Sequence, residues 1–226
     1  MFHKLQDGAL LIADAHYPNH KKEQFLALLQ DIKEGKIRAK QLILMGDIFD
    51  LLVGNSPYLK AKFAKEIELL EEIAKEIEVI YLEGNHDFCL DLIFQNIKII
   101  SISAQPLVME YNGILYGFSH GDKFAQSFGY KLYTKAIRNR YLLKILPDII
   151  AKYKLNQMAQ KKLCKEILNF ELLAKDISKK YKTNYIIEGH FHQGKRVDNY
   201  IALPSFACNC QYTIFKDLDF KFISYI

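Results

Sequence analysis

The chain has 226 residues, half of them apolar and a quarter charged, with five prolines and a formal net charge of +5. That balance fits one sizeable domain, with or without an insertion, and excludes a disordered chain, a collagen-like chain and a small disulfide-stapled fold. Aromatic residues reach 13% without a single Trp, so Tyr and Phe must supply the large core side chains.

In chain order, Ala9-Leu-Leu-Ile-Ala-Asp14 is a continuous apolar run and reads as a buried strand. Lys21 to Lys33 follows with Phe25, Leu28, Leu29 and Ile32 at helical spacing. Gln41–Gly46 is a second buried strand. Ala61 to Glu78 is helical, with Phe63, Ile67, Leu70, Ile73, Ala74 and Ile77 on one stripe, and Val79–Leu82 is a third strand. Strand–helix–strand–helix–strand implies parallel pairing with crossover helices, an α/β layered architecture. Ile97–Ser101 is a short strand. Pro106–Tyr111 and Ile114–Ser119 flank Asn112-Gly113, a strong hairpin signal. Lys123 to about Lys180 reads as helical, interrupted near Pro147. Asn184–Glu188, Asn199–Leu203, Tyr212–Phe215 and Phe220–Ser224 are the closing strands, giving two packed sheets flanked by helices.

Charge is unevenly placed. Residues 123–180 carry fourteen Lys and Arg against four acids, a net +10, and the remainder is −5. A segment so polarised points to an anionic ligand or surface. Two units are therefore expected, a core of residues 1–122 and 181–226 and a basic amphipathic helical insertion over 123–180. The longest apolar stretch, residues 92–108, is broken by Gln95, Asn96, Lys98 and Gln105, so no membrane-spanning helix is expected. The N-terminal residues lack a basic flank followed by an apolar run and a cleavage site, so the expected location is cytoplasmic. Cys89 and Cys164 stand alone. Cys208 and Cys210, with no second pair to complete a zinc site, read as small buried hydrophobes on a strand. His3 and His20 read as ordinary surface residues.

Five polar blocks directly follow apolar runs: Asp14-Ala-His16, Gly46-Asp47-Ile-Phe-Asp50, Gly84-Asn85-His86-Asp87, Ser119-His120-Gly121-Asp122 and Gly189-His190-Phe-His192. Open α/β sheets bind ligands at the carboxyl ends of their strands. Carboxylate and amide oxygens together with imidazoles form a ligand set suited to Mn, Fe or Zn. Ligands two apart in an extended stretch, Asp14 with His16 and His190 with His192, would share one side of a strand end.

In order and composition these blocks resemble those of the calcineurin-like metallophosphoesterase superfamily: D-x-H, G-D-x-x-D, G-N-H-[DE], an H before G-D, and G-H-x-H. The resemblance spans Asp14 to His192 and implies a layered β-sandwich flanked by helices, two divalent metal ions and phosphoester or phosphoanhydride hydrolysis. It assigns Asp14, His16 and His192 to one metal, Asn85, His120 and His190 to the other, and Asp47 to the bridge between them. It makes His86 the donor to the developing charge or leaving oxygen, steered by Asp50. Asp87 and Asp122 are expected to organise loops rather than to catalyse.

A narrower resemblance lies in the insertion. A Tyr after H-G-D, then Arg-Asn and an apolar run ending in Leu-Pro, look like the UDP-2,3-diacylglucosamine pyrophosphohydrolases of lipid A synthesis. These are manganese enzymes that release UMP and the acylated sugar 1-phosphate and associate peripherally with the inner membrane. By that likeness Asn85, Tyr130 and Arg138 would contact substrate, the insertion would form a lid over acyl chains, and the partners would be an acylated nucleotide-sugar and an anionic membrane surface. A monomer is expected. Two features depart: His86 stands where these enzymes carry Arg, and Ala125–Gly129 lacks their aspartates. Another metallophosphodiesterase or pyrophosphatase stays open as an alternative. A nuclease is disfavoured because only Arg138 and Arg140 stand among the insertion's fourteen bases.

Overall fold

A computed structural model describes residues 2–125, 147–158 and 163–226. Its strands are β1 (His3–Lys4), β2 (Ala9–Ile12), β3 (Gln41–Leu44), β4 (Leu52–Val53), β5 (Glu78–Leu82), β6 (Asp87–Phe88), β7 (Lys98–Ile100) and β8 (Leu107–Tyr111). They continue with β9 (Ile114–Ser119), β10 (Tyr185–Glu188), β11 (Lys195–Val197), β12 (Tyr200–Ala202), β13 (Gln211–Lys216) and β14 (Asp219–Ser224).

One sheet runs β14-β13-β2-β3-β5-β7 and the other β1-β8-β9-β10-β12-β11, with β4 and β6 as a separate pair. β2, β3, β5 and β7 are mutually parallel, as are β9, β10 and β12. The parallel strands read as unbroken apolar runs because both faces are covered. Leu11, Ile43 and Ile80 lie in register and face the other sheet, where Phe118, Ile187 and Ile201 meet them. Their neighbours Leu10, Leu42 and Val79 face the helices instead. The result is helix, sheet, sheet, helix, a mixed α/β sandwich.

The helical layers follow from the same periodicity. α1 (Lys22–Lys33) buries Phe25, Leu28, Leu29 and Ile32 against the first sheet. The single helix expected over 61–78 is instead two, α2 (Pro57–Lys62) and α3 (Ala64–Glu76). The break falls at Phe63, whose backbone leaves the helical region while its ring is buried in the core. α2 starts early because Ser56 accepts the Leu59 N–H at 3.2 Å and Pro57 occupies the first turn. Asn112 and Gly113 both have positive φ and join β8 to β9 with Tyr111 paired to Ile114, the two-residue hairpin expected.

Between residues 123 and 180 the described helices are α4 (Asp122–Ala125), α5 (Pro147–Met158) and α6 (Phe170–Ser178). Pro147 is the first residue of α5, where its missing N–H is not needed in the first turn. Residues 163–169 are not helical, contrary to expectation. α5 contributes Ala151 and Leu155 to the core beside α1, α2 and α3. α6 contributes Phe170, Ala174 and Ile177 to the outer face of the second sheet, against Ile186 and Tyr200. Among the described residues no helix is long and apolar enough to cross a membrane.

Candidate metal centre

All five polar blocks sit at carboxyl ends of parallel strands: β2 delivers Asp14 and His16, β3 Asp47, β5 Asn85 and His86, β9 His120, and β10 His190 and His192. Because β2, β3 and β5 share one sheet and β9 and β10 the other, the site lies across the mouth of the sandwich. Asp14, His16 and His192 bring ligand atoms within 4.8 Å of one another, as do Asp47, His120 and His190, and as do His16, Asp47 and His86. His16 and Asp47 each belong to two of these groups.

The strand ends are not extended, as the two-apart spacing suggested. Asp14, His16, Asp47, His190 and His192 all adopt the left-handed backbone region, with φ between 46° and 57°. Non-glycine residues avoid that region, and such conformations cluster at functional sites. This backbone lets Ala15 and Phe191 enter the core while their neighbours face the site. Two glycines make room: a Cβ on Gly84 would lie 2.2 Å from Asp47 Oδ1, and one on Gly189 would lie 2.7 Å from Asp14 Oδ2.

The electrostatics suit a cation. His120 Nδ1 lies 3.0 Å from the Met45 carbonyl, so the ring donates there and turns Nε2 inward. That Nε2 lies 3.5 Å from Asp47 Oδ2, 3.3 Å from Asn85 Oδ1 and 3.3 Å from His190 Nδ1, a group rich in acceptors. His192 Nε2 similarly faces Asp14 Oδ1 at 3.1 Å. Both Asp14 carboxylate oxygens and both His16 ring nitrogens are buried without a hydrogen bond among the described residues. Orphaned buried acceptors are costly unless a cation or proton completes them, so these residues fit divalent metal. Burial opposes charge on Asp47, yet His86 and His120 hold its carboxyl well below the usual range. Burial likewise opposes charge on Asp14, and His192 and His120 still keep its pKa low. Burial also disfavours the His120 cation, but Asp47 raises that pKa well above the ordinary value. Burial and the neighbouring His120 push His190 down to about 4.

His86 lies at the edge of this cage. Its N–H donates to Asp47 Oδ1 at 2.9 Å, its Nδ1 meets the Asp50 carbonyl at 2.8 Å, and its Nε2 stands 3.7 Å from Asp47 Oδ2. The Asp50 carboxylate faces His16 Nδ1 at 3.5 Å rather than the His86 ring. Asp50 thus meets His86 through its backbone, because its side chain is turned toward the β2 end and also accepts the Asn19 N–H. Asp87 binds loops together: its carboxylate accepts from the N–H groups of Asp47, Ile48 and Gly84 and from the Tyr81 hydroxyl. Tyr130 and Arg138 lie outside the described residues.

Three features were not expected. His20 is half-buried, its Nε2 closed off without a hydrogen-bond partner among the described residues, and burial pushes its pKa down while Asp50, His16 and His192 act on it. Glu188, buried beneath Gly189-His190, accepts from the hydroxyls of Tyr181 and Tyr200. Cys208 lies in a short helix, α7 (Phe206–Asn209), and forms a disulfide with Cys164, so neither is a simple core hydrophobe. Cys89 is buried and in no disulfide among the described residues, and Cys210, likewise unbridged, is a left-handed C-cap.

Residues 9–194 match the calcineurin-like phosphoesterase family. The chain is 26% identical to a UDP-2,3-diacylglucosamine hydrolase of Photorhabdus laumondii, over 81% of each chain. It is 29% identical to the UDP-2,3-diacylglucosamine hydrolase of a Pseudomonas putida strain, over 65% of this chain and 62% of that one. A solved phosphoesterase from E. coli superposes over 96% of this chain and 99% of its own, at a TM-score of 0.45 and 13% identity. With the family match covering every block of the site, the chain belongs to the calcineurin-like phosphoesterase family and is a metal-dependent hydrolase.

Proposed function

We propose that the chain hydrolyses the pyrophosphate of UDP-2,3-diacylglucosamine, yielding UMP and 2,3-diacylglucosamine 1-phosphate. The observation that carries the chemistry is the overlap of the ligand groups: Asp47 lies within ligand distance of residues from both sheets. Asp14, His16 and His192 would hold one divalent cation, Asn85, His120 and His190 the other, and Asp47 both. Manganese is the proposed metal. Divalent cations held there would supply charge neutralisation to phosphoryl oxygens and acidify a bound water.

The chain's own groups supply the remainder. The Asp50 carbonyl fixes His86 Nδ1 as the donor nitrogen, which leaves Nε2 facing the cage as the proton carrier for the leaving oxygen. The Asp50 carboxylate turns the His16 ring so that its far nitrogen faces inward. Asp87 keeps the Asp47 and Asn85 loops in mutual register through three backbone N–H groups.

The substrate assignment rests on the relatives that carry this activity in their names, together with the insertion's surface. Leu168, in the turn before α6, is 88% exposed, and Leu172, in its first turn, is 69% exposed, with Lys165 and Lys175 nearby in sequence and also exposed. An exposed aliphatic pair bordered by lysines suits acyl chains beside phosphates, or an anionic membrane surface. On this reading Tyr130 and Arg138 contact the substrate, the segment 123–180 is the lid, and a monomer works at the cytoplasmic side of the inner membrane.

Incubation with Mn2+ and UDP-2,3-diacylglucosamine, followed by phosphorus NMR, tests the reading. UMP and a sugar 1-phosphate are expected. An intact lipid substrate, with turnover of a simple phosphodiester in the same preparation, would move the chain to a different substrate.

A further inference from the structure

The root of the basic segment is fastened to the wall of the metal centre from two sides. On one side is α7. Its N-cap Ser205 donates through Oγ to the Asp14 carbonyl at 2.9 Å, Ala207 N–H donates to the same carbonyl at 3.1 Å, and Phe206 N–H donates to Ala13 at 2.9 Å. Cys208 in this helix is bonded to Cys164, and its sulfur lies 3.8 Å from His192 Nδ1. On the other side is Gln193, the residue after His192. Its Oε1 accepts the Ile167 N–H at 3.1 Å and its Nε2 donates to the Lys165 carbonyl at 3.0 Å. Lys195 adds an ion pair to Glu166 at 2.8 Å.

We propose that Cys164–Cys208 is a reversible thiol–disulfide modification site that clamps residues 163–167 beside His192 and sets how firmly that ring is held for metal. In the oxidised form the Cys208 sulfur carries no proton and can only accept, so His192 presents Nδ1–H to it and keeps the Nε2 lone pair toward Asp14. Outer contacts of this kind orient metal-binding imidazoles. Opening requires an external dithiol. Its thiolate attacks one sulfur, the Sγ–Sγ bond breaks, and the departing sulfur takes up a proton. The reductant's second thiol then resolves the mixed disulfide, so the protein gains two electrons and two protons while the dithiol becomes its own disulfide. Cys210, the nearest free thiol in sequence, is a poor internal substitute, because burial pushes its pKa up and disfavours the thiolate that exchange requires. The inference rests on His192 being a ligand and is independent of the substrate.

Alkylation of never-reduced, denatured full-length chain should label Cys89 and Cys210 alone, with a linked 164–208 peptide in the mass spectrum. Dithiothreitol treatment should expose all four thiols. Calorimetric Mn2+ titration would then compare oxidised chain, chain reduced and freed of reductant without oxygen, and the Cys164→Ser variant. The last two should bind at one of the two sites about tenfold more weakly, the low end for loss of an outer contact. Trypsin should also cut after Lys165 several-fold faster in both, and reoxidation should restore only the wild type. Four reactive thiols before reduction, or equal Mn2+ affinity in all three forms, overturns the clamp. No Mn2+ binding by the oxidised chain overturns the clamp together with the ligand assignment.

Discussion

Among the proposed ligands His120 is fully buried, tied through Nδ1 to the Met45 carbonyl, and faces Asp47 through Nε2. In the metal-free chain burial opposes the cation, yet Asp47 raises its pKa well above the ordinary histidine value, which favours a proton on the ring. A cation needs that Nε2 lone pair and must displace the proton. Metal affinity should therefore climb as pH rises from 6 toward 8, with proton release visible as a dependence of titration heat on buffer ionisation enthalpy. Affinity independent of pH over that range would remove His120 from the ligand set. His86 makes a different prediction. It lies within ligand distance of His16 and Asp47, yet its assigned task is proton donation. His86→Ala should lower kcat by about 10²–10⁴-fold with Mn2+ stoichiometry unchanged, as for loss of a general acid. Loss of a metal ion instead would make it a ligand.

At the scale of elements, the described part of the basic segment 123–180 divides into what packs and what is presented. Ala151, Leu155, Phe170, Ala174 and Ile177 are buried in the two outer helical layers, so α5 and α6 are parts of the sandwich wall as well as of the basic segment. Ser56 ties the first of these layers together: its hydroxyl caps α2 and bonds Asp148 Oδ1 of α5 at 2.8 Å. Leu168 and Leu172 make no such commitment. Leu168→Asp with Leu172→Asp should leave turnover of a small chromogenic phosphodiester within about twofold of wild type while reducing activity on the diacylated substrate by tenfold or more, because exposed positions contribute little to stability. Equal loss on both substrates would mean that these leucines support the fold rather than the lipid. The strands were legible in the sequence because burial on both faces writes an unbroken apolar run. The Asn112-Gly113 hairpin was legible because its turn demands positive φ. The break at Phe63 was not, since a buried aromatic at helical spacing looks the same inside a helix and at its end. The early start of α2 was written in Ser56-Pro57, a capping signal that the apolar stripe overshadowed. The minor strands β1, β4, β6 and β11 are two or three residues long, too short for periodicity to reveal.

For the molecule as a whole, the two sheets bring residues from opposite halves of the sequence to one rim, and two of the three ligand groups take their parts from that meeting. The motif order was readable because every block follows a strand. What the spacing could not convey is how neighbouring ligands share a side: the left-handed backbone at five of these positions, rather than an extended strand end, turns them inward. Nor could it convey the Cys164–Cys208 bond, whose partners are 44 residues apart and lie in unlike surroundings. The central claim is that Asp14, His16, His192, Asn85, His120 and His190 hold two divalent cations joined through Asp47. Electron paramagnetic resonance of the Mn2+-loaded chain tests it most directly. Two equivalents of Mn2+ should bind with an exchange-coupled spectrum, and Asp47→Ala should abolish both that coupling and turnover. A single uncoupled ion in the wild type, or a coupled and active Asp47→Ala chain, would contradict the account.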